Sequence, residues 1–389
     1  MERHSIAPRA DWEAVARDSA FTFHHVGGEL YWDESAYWRL GLREIEQDIE
    51  DPSTELYAMC LALVDEAAGS QEVMERLAIP DAARDMVAAS WRSGEPSLYG
   101  RFDFAYDGSG PAKLLEFNAD TPTSIYETAF FQWNWLEDAI ARGTLPAGAD
   151  QFNRLHEALI ERFAQILTPG STLHLSAAAE HVEDRQTVRY LEDIAGQAGL
   201  DPRFVAIDRI GIDAAGRLID EDDMVIGALF KLYPWEDLMR SAWAPQLAAS
   251  QALFLEPAWK AVLSNKAMLP LLWERHRGHP NLLPAAFEGT FAADEIASGA
   301  HVRKPFFSRE GADIRLFDGQ EAHEGPAEGY GAEGRIVQAF APLARSGSHH
   351  AVVGSWIVGD SAVAMSIRED SGPITRDLAR FVPHAIVGD

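Results

Sequence analysis

One run constrains this chain more than any other: GRFDFAYDGSGPAKLLEFNADTPTS, residues 100–124. In an extended strand, residues i and i+2 point the same way. Arg101 and Asp103 therefore share one face, and Phe102 and Phe104 the other. The second half repeats the pattern, with Glu116 and Asn118 opposed to Leu115 and Phe117. Asp107-Gly108 is a strong turn signal, and Gly110-Pro111 reinforces it. The pattern predicts a hairpin with an apolar face and a face carrying Arg101, Asp103, Glu116 and Asn118. Two carboxylates and an amide oxygen suit Mg²⁺, which takes hard oxygen ligands and completes its shell with water and phosphates. An adjacent arginine suits a phosphate or a carboxylate. A solvated hairpin face is the competing reading, because exposed strand faces do carry acids and amides.

The rest of the chain is read around that hairpin. At 389 residues, with 47% hydrophobic and 10% aromatic side chains, it can bury a large core. Its 33 Lys+Arg against 61 Asp+Glu give a net charge of −28. That excludes general nucleic-acid binding, which needs a basic footprint. A local cluster of cations can still hold one phosphate tail. The single cysteine, Cys60, lies in an apolar helical run and reads as core packing. One cysteine, no secretory h-region at the N-terminus and no membrane-length apolar run point to a cytoplasmic protein.

Residues 1 to about 95 read as mostly helical, with a break at Asp51-Pro52. Asp150 is a candidate cap for a helix carrying Leu155, Leu159 and Phe163. TLHLS, a helix over EDRQTVRYLEDIAGQAG, RFVAI and VIGALFKLY alternate as strand and helix, which predicts a parallel sheet. From about 260 the pieces HVRKP, IRLF, RIVQAF, AVVGSWIV and AVAMSIRE read as an antiparallel lobe. The expected division is 1–260, holding the helical part, the hairpin and the parallel region, and 261–389, holding a nucleotide-binding lobe with a C-terminal hairpin.

Four features of the second part fit a nucleotide site. They are Lys266 near a helix start, Lys304 followed by a loop with Gly311, Gln338 before an apolar pair, and Arg368 near the chain's end. A glycine lets a loop backbone approach a ligand closely. Each feature alone has a plain alternative: a solvated lysine, a common turn, or Arg368 paired with Glu369 or Asp370.

Taken together, RFDF…LLEFNADTPTS…FKLYPWE…EPAWK…LSNKAMLPLLWE…KPFFSREGA…GSWIV…IRED…PIT resembles the glutathionylspermidine synthase family, and within it the short bacterial acid–amine ligases. The resemblance implies an α/β (α+β) fold of ATP-grasp architecture with a pre-ATP-grasp parallel-sheet domain. It implies a ligase that uses ATP and Mg²⁺ to activate a carboxylic acid as an acyl phosphate, which an amine then converts to an amide. By the same resemblance, Asp103, Glu116 and Asn118 are metal ligands, and Arg101 and Arg368 are catalytic. Arg101, Phe102, Asp103, Lys266, Lys304, Gly311, Ala312, Gln338, Ala339, Phe340, Ala341, Pro373, Ile374 and Thr375 hold the nucleotide. Thr121, Thr123, Ser124, Glu183 and Asp184 face the substrates.

Departures from the family pattern stand beside this. Amidase activity is not expected, since these 389 residues leave no room for the family's cysteine amidase domain and the one cysteine lies in a helical run. Leu232 falls where the family has a peptide-contacting threonine. Arg380 falls where it has a polyamine-holding acid, so spermidine is expected to be a poor substrate. Two other readings compete: a nucleotide-binding regulatory protein without catalysis, and a phosphotransferase that stops before amide formation.

Overall fold

Strands Tyr99–Ala105 and Lys113–Asn118 form the hairpin in the computed structural model, which describes every residue except Ala179, Leu378 and Asp389. Arg101 pairs with Asn118 and Asp103 with Glu116, so the four polar side chains share one face. Phe102 and Phe117 are opposed on the other face, their rings stacked at 4.0 Å. The register shifts between Asp103 and Phe104, a bulge that twists the hairpin just beyond the polar pairs.

The hairpin is not a free element. Tyr99–Ala105 pairs antiparallel with His349–Val358, which pairs with Ser361–Asp370, which pairs with the short Arg380–Phe381. The sheet thus joins strands from both sides of residue 260. Its apolar face meets the helix Asp51–Gly69, where Tyr57 packs edge-on against Phe117.

The expected parallel sheet is present. Its order is Leu253–Leu255, Ala228–Lys231, Thr172–Ala177, Asp201–Ala206, with every pairing parallel. The helix Val182–Gln197 makes the crossover. A five-stranded antiparallel sheet follows: Ala285–Phe287, Arg335–Ala339, His301–Pro305, Arg315–Phe317 and Ala322–Glu324.

Several expectations are corrected. Residues 1–95 are mostly helical as expected, but Glu2–Ser5 and Ala36–Leu40 within them are strands, and the latter pairs with His384–Ile386. Asp51-Pro52 does not break a helix. It begins Asp51–Gly69, continuous with the turns before it, because proline is tolerated in a first turn whose N–H needs no helical partner. Asp150 does not cap Leu155–Ile166; its carboxylate accepts from Gln151 N at 2.8 Å. AVAMSIRE, which carries Arg368, is a strand as expected, Ser361–Asp370, and two short strands follow it. No helix among the described residues is long and apolar enough to cross a membrane.

Candidate active site

The polar face of the hairpin forms one wall of a cavity of about 370 Å³, within the usual range for small-ligand sites. Arg101 Nε lies 2.7 Å from Asp103 Oδ1, while its Nη1 donates to Thr123 O at 3.0 Å. Arg368 arrives from the neighbouring strand and places Nη2 2.6 Å from Asp103 Oδ2. It does not pair with the acids beside it in sequence: Glu369 takes Arg3 and Trp38, and Asp370 takes Arg376. Two guanidinium groups thus converge on one buried carboxylate.

A second cluster lies beside the first. Lys266, just before the helix Met268–Arg275, places Nζ 3.1 Å from Glu116 Oε2 and also donates to Ser308 O. Lys304, on His301–Pro305, donates to Leu115 O at 2.8 Å. Burial raises the Glu116 carboxyl, but Lys266, Lys304 and Arg368 outweigh it and hold the group down at about 2. Burial, opposed by Glu116 and aided by Lys266, lowers the Lys304 ammonium to about 8. Around the hairpin face four cations, Arg101, Arg368, Lys266 and Lys304, thus meet two carboxylates, Asp103 and Glu116, so this end of the cavity is locally short of negative charge.

Asn118 donates its amide nitrogen to Asp103 Oδ2 at 3.1 Å. Among the described residues, no group of three His, Cys, Asp or Glu forms a metal cage. Asp103, Glu116 and the Asn118 oxygen instead make an open set of hard ligands. That set fits Mg²⁺, which relies on one or two carboxylates, water and ligand phosphates. Asn118 must turn its amide to offer the oxygen.

On the strand paired with that of Lys304, Gln338 donates Nε2 to Leu114 O at 3.0 Å, next to the carbonyl that Lys304 takes. This fixes the amide and leaves Oε1 buried without a donor. Ser308 Oγ and Thr375 Oγ1 are also buried without partners, and all three residues line the cavity. Leaving a buried acceptor unpaired costs roughly 1–3 kcal/mol, so such a set fits a polar ligand.

The structure brings most of the expected residues together. Arg101, Asp103, Glu116, Asn118, Thr121, Thr123, Asp184, Lys266, Lys304, Gly311, Arg368, residues 338–341 and residues 373–375 all line the cavity. Gly311 has φ +73°, and a Cβ there would meet Ile374 Cγ2 at 2.7 Å, so its loop lies flush on the 373–375 segment. Phe102, Ala312, Ser124 and Glu183 stand behind the lining. Phe102 is on the apolar face, and Ala312 is buried in the loop. Ser124 has φ +71°, a conformation costly for a non-glycine residue, and its Oγ lies 3.1 Å from Tyr31 Oη. Arg380 is outside the cavity, 3.2 Å from Asp33, so it has no geometric basis for repelling an amine there. Leu232 does line it.

Sequence reasoning passed over several residues. Tyr31 donates to the buried Glu127 at 2.5 Å, just behind Ser124. Asp120 lines the cavity and holds Lys231 at 2.6 Å. Lys231 and Lys260 lie in FKLYPWE and EPAWK, so the motifs were visible although their partners were not.

Residues 3–387 match the model of the glutathionylspermidine synthase pre-ATP-grasp family. The chain belongs to that family. It is 38% identical over 371 residues to a Haemophilus influenzae protein provisionally named an acid–amine ligase, covering 92% of each. It is 26% identical to trypanothione synthetase of Crithidia fasciculata, spanning 83% of this chain and 52% of that one. It is 25% identical to the bifunctional glutathionylspermidine synthetase/amidase of Escherichia coli, spanning 88% and 58%. The chain therefore covers little more than half of these two longer relatives. A glutathione synthetase-like effector, GSS30 of Globodera pallida, shares the fold with a TM-score of 0.60 at 12% identity, covering 97% of this chain and 96% of its own. The fold is thus α/β of the ATP-grasp type, and the relatives it matches in sequence are named as ligases and synthetases.

Proposed function

We propose that the protein joins a carboxylic acid to an amine, using ATP and Mg²⁺ to pass through an acyl phosphate. The observation that carries this reading is the convergence of Arg101, Arg368, Lys266 and Lys304 on one cavity with Asp103, Glu116 and Asn118. Phosphoryl transfer needs positioned charge more than covalent help from the protein, and this cavity is built of positioned charge. Lys266 and Lys304 hold the phosphates. Asp103, Glu116 and the Asn118 oxygen would hold Mg²⁺, which supplies neutralisation of phosphate charge when bound. Arg101 and Arg368, already aligned by Asp103, face the transferring group and the carbonyl oxygen that gains charge under amine attack. The bare Gln338 Oε1 accepts from the exocyclic amine of adenine, a donor that guanine does not offer at that position.

The acidic residues at the other end suit the amine. Burial raises the Asp184 carboxyl, which lines the cavity, and that of Glu183 just behind it, so a cation bound beside Asp184 relieves their cost. Thr121 and Thr123 supply hydroxyls along the loop between them and the metal face, with Ser124 behind. The test is mass spectrometry of products after incubation with Mg-ATP and a metabolite extract. The expected result is ADP together with a new amide. ADP with a phosphorylated acid alone would make the protein a phosphotransferase, and no ATP consumption would leave a binding protein.

A further inference from the structure

The metal hairpin must keep its register at the open end, where the ladder stops. The last hairpin pair is Arg101 with Asn118. Beyond it the carbonyls of Tyr99 and Ala119 have no strand partner. Lys260 Nζ fills that gap, 2.9 Å from Tyr99 O and 3.0 Å from Ala119 O. Its counter-charge, Glu256, lies 3.2 Å away and accepts from Tyr99 N at 2.8 Å and from Leu98 N at 3.1 Å. One ion pair therefore holds both strands of the hairpin one or two residues from Arg101 and Asn118.

A second pair holds the next residue. Lys231 Nζ lies 2.6 Å from Asp120 Oδ1 and 2.9 Å from Tyr233 O. Asp120 Oδ2 accepts from Trp235 N at 2.8 Å, and Trp235 Nε1 donates to Glu256 O at 3.0 Å, which links the two pairs. Lys231, Lys260, Glu256 and Asp120 are at most 1% exposed. Burying such charges is costly, and replacing a buried pair by apolar residues often stabilises a protein. These pairs come from one place: Lys231 ends the strand Ala228–Lys231, and Glu256 follows Leu253–Leu255 beside it. Both thus project from the carboxyl edge of the parallel sheet, the edge at which open α/β sheets place their ligands.

We propose that Lys260–Glu256 and Lys231–Asp120 are positioning pairs, through which the parallel sheet sets the spacing of the metal-binding hairpin. The inference rests on the metal reading given above. Lys260 touches no ligand; it acts through the backbone of Tyr99 and Ala119 on the side chains that do. Methionine at 260 fills the space but cannot donate to either carbonyl, so the strand ends relax and the Asp103–Glu116–Asn118 set widens.

The experiment measures Mn²⁺ binding by electron paramagnetic resonance of the free ion, with saturating non-hydrolysable ATP analogue. It compares wild type, Lys260→Met and a core variant remote from the cavity, Leu159→Ala, each with its thermal unfolding midpoint. The expected result is a loss of Mn²⁺ affinity of tenfold or more in Lys260→Met, with Leu159→Ala close to wild type despite a lowered midpoint. Affinities that simply follow the midpoints in both variants would make the pair structural and overturn the proposal. Wild type that binds no Mn²⁺ would instead overturn the metal reading, and the positioning role with it. If Lys260→Met does not fold, Lys231→Met breaks the second pair and repeats the comparison, with unchanged affinity counting against the proposal.

Discussion

Arg368 gives its guanidinium to an aspartate 265 positions away and ignores two acids next to it. That choice sets its expected role. An arginine held by Asp103 beside the phosphate-binding lysines helps most where charge develops in the transition state, and less in binding ATP. Arg368→Ala is therefore expected to lower turnover roughly a hundredfold or more, the scale of losing an oxyanion-type donor. The ATP dissociation constant should change little, because Lys266 and Lys304 remain. Normal turnover, or a loss that lies wholly in ATP affinity, would remove Arg368 from the chemistry. Glu127 makes the second residue-scale case. Burial, with Glu183 nearby, raises its carboxyl to about 8 against the hydrogen bond from Tyr31. A carboxyl raised in the folded state binds its proton more tightly there than in the unfolded chain. Stability is then fully present below the unfolded value near 4.5 and falls as pH rises toward 8. Glu127→Gln keeps an acceptor for Tyr31 without the charge. Its unfolding free energy should gain on wild type by at least about 1 kcal/mol between pH 5 and 8. Parallel stability curves for the two proteins would show that Glu127 is already ionised.

The central strand His349–Val358 shows how an element shapes the site. Gly354 pairs with Asp103, and a Cβ there would lie 2.5 Å from Ser366 Oγ and 2.9 Å from Arg101 Cδ. The glycine is needed for the close approach of Arg101, since its φ is not in the left-handed region. Gly354→Ala should therefore displace Arg101 and cut turnover by at least about tenfold, or about 1.4 kcal/mol of barrier. A crystal structure of the variant with Arg101 unmoved, or unchanged turnover, would reject this. Elements of this kind differ in how much of them a sequence can carry. The hairpin was legible because its signals are local: alternation by two residues, flanking a turn of Asp-Gly and Gly-Pro. The parallel sheet was legible for the same reason, as strand and helix alternate over short spans. Ala36–Leu40 was not, because AYWRL continues into helical spacing. Its strand state comes from lying between Glu2–Ser5 and residues near 385, the latter almost the whole chain away. Asp120 with Lys231, 111 positions apart, was hidden likewise: a buried charge reveals its partner only once the sheets are docked. Arg380 was misread because a position in a family pattern does not fix which cavity a side chain meets.

At the scale of the molecule, two charge distributions oppose each other. The chain carries a net −28, while the hairpin end of the cavity gathers Arg101, Arg368, Lys266 and Lys304 around Asp103 and Glu116. An anionic nucleotide approaching from bulk solvent meets the net field first, and the local one only within about a Debye length of the mouth. That length is about 10 Å at 0.1 M salt and about 30 Å at 0.01 M. At low salt the repulsion from the whole surface reaches far out and slows encounter. Adding salt screens that distant field more than the contacts inside a partly buried cavity. The association rate constant of a fluorescent ATP analogue should therefore rise between about 10 and 150 mM salt, while a cationic amine should bind more weakly over the same range. A basic nucleotide-binding protein would behave the other way for ATP. Stopped-flow association at several ionic strengths decides the matter. A rate constant that falls with salt would mean that the four cations focus the field beyond the cavity mouth and outweigh the acidic surface, and the steering argument would then run from the site rather than from the molecule.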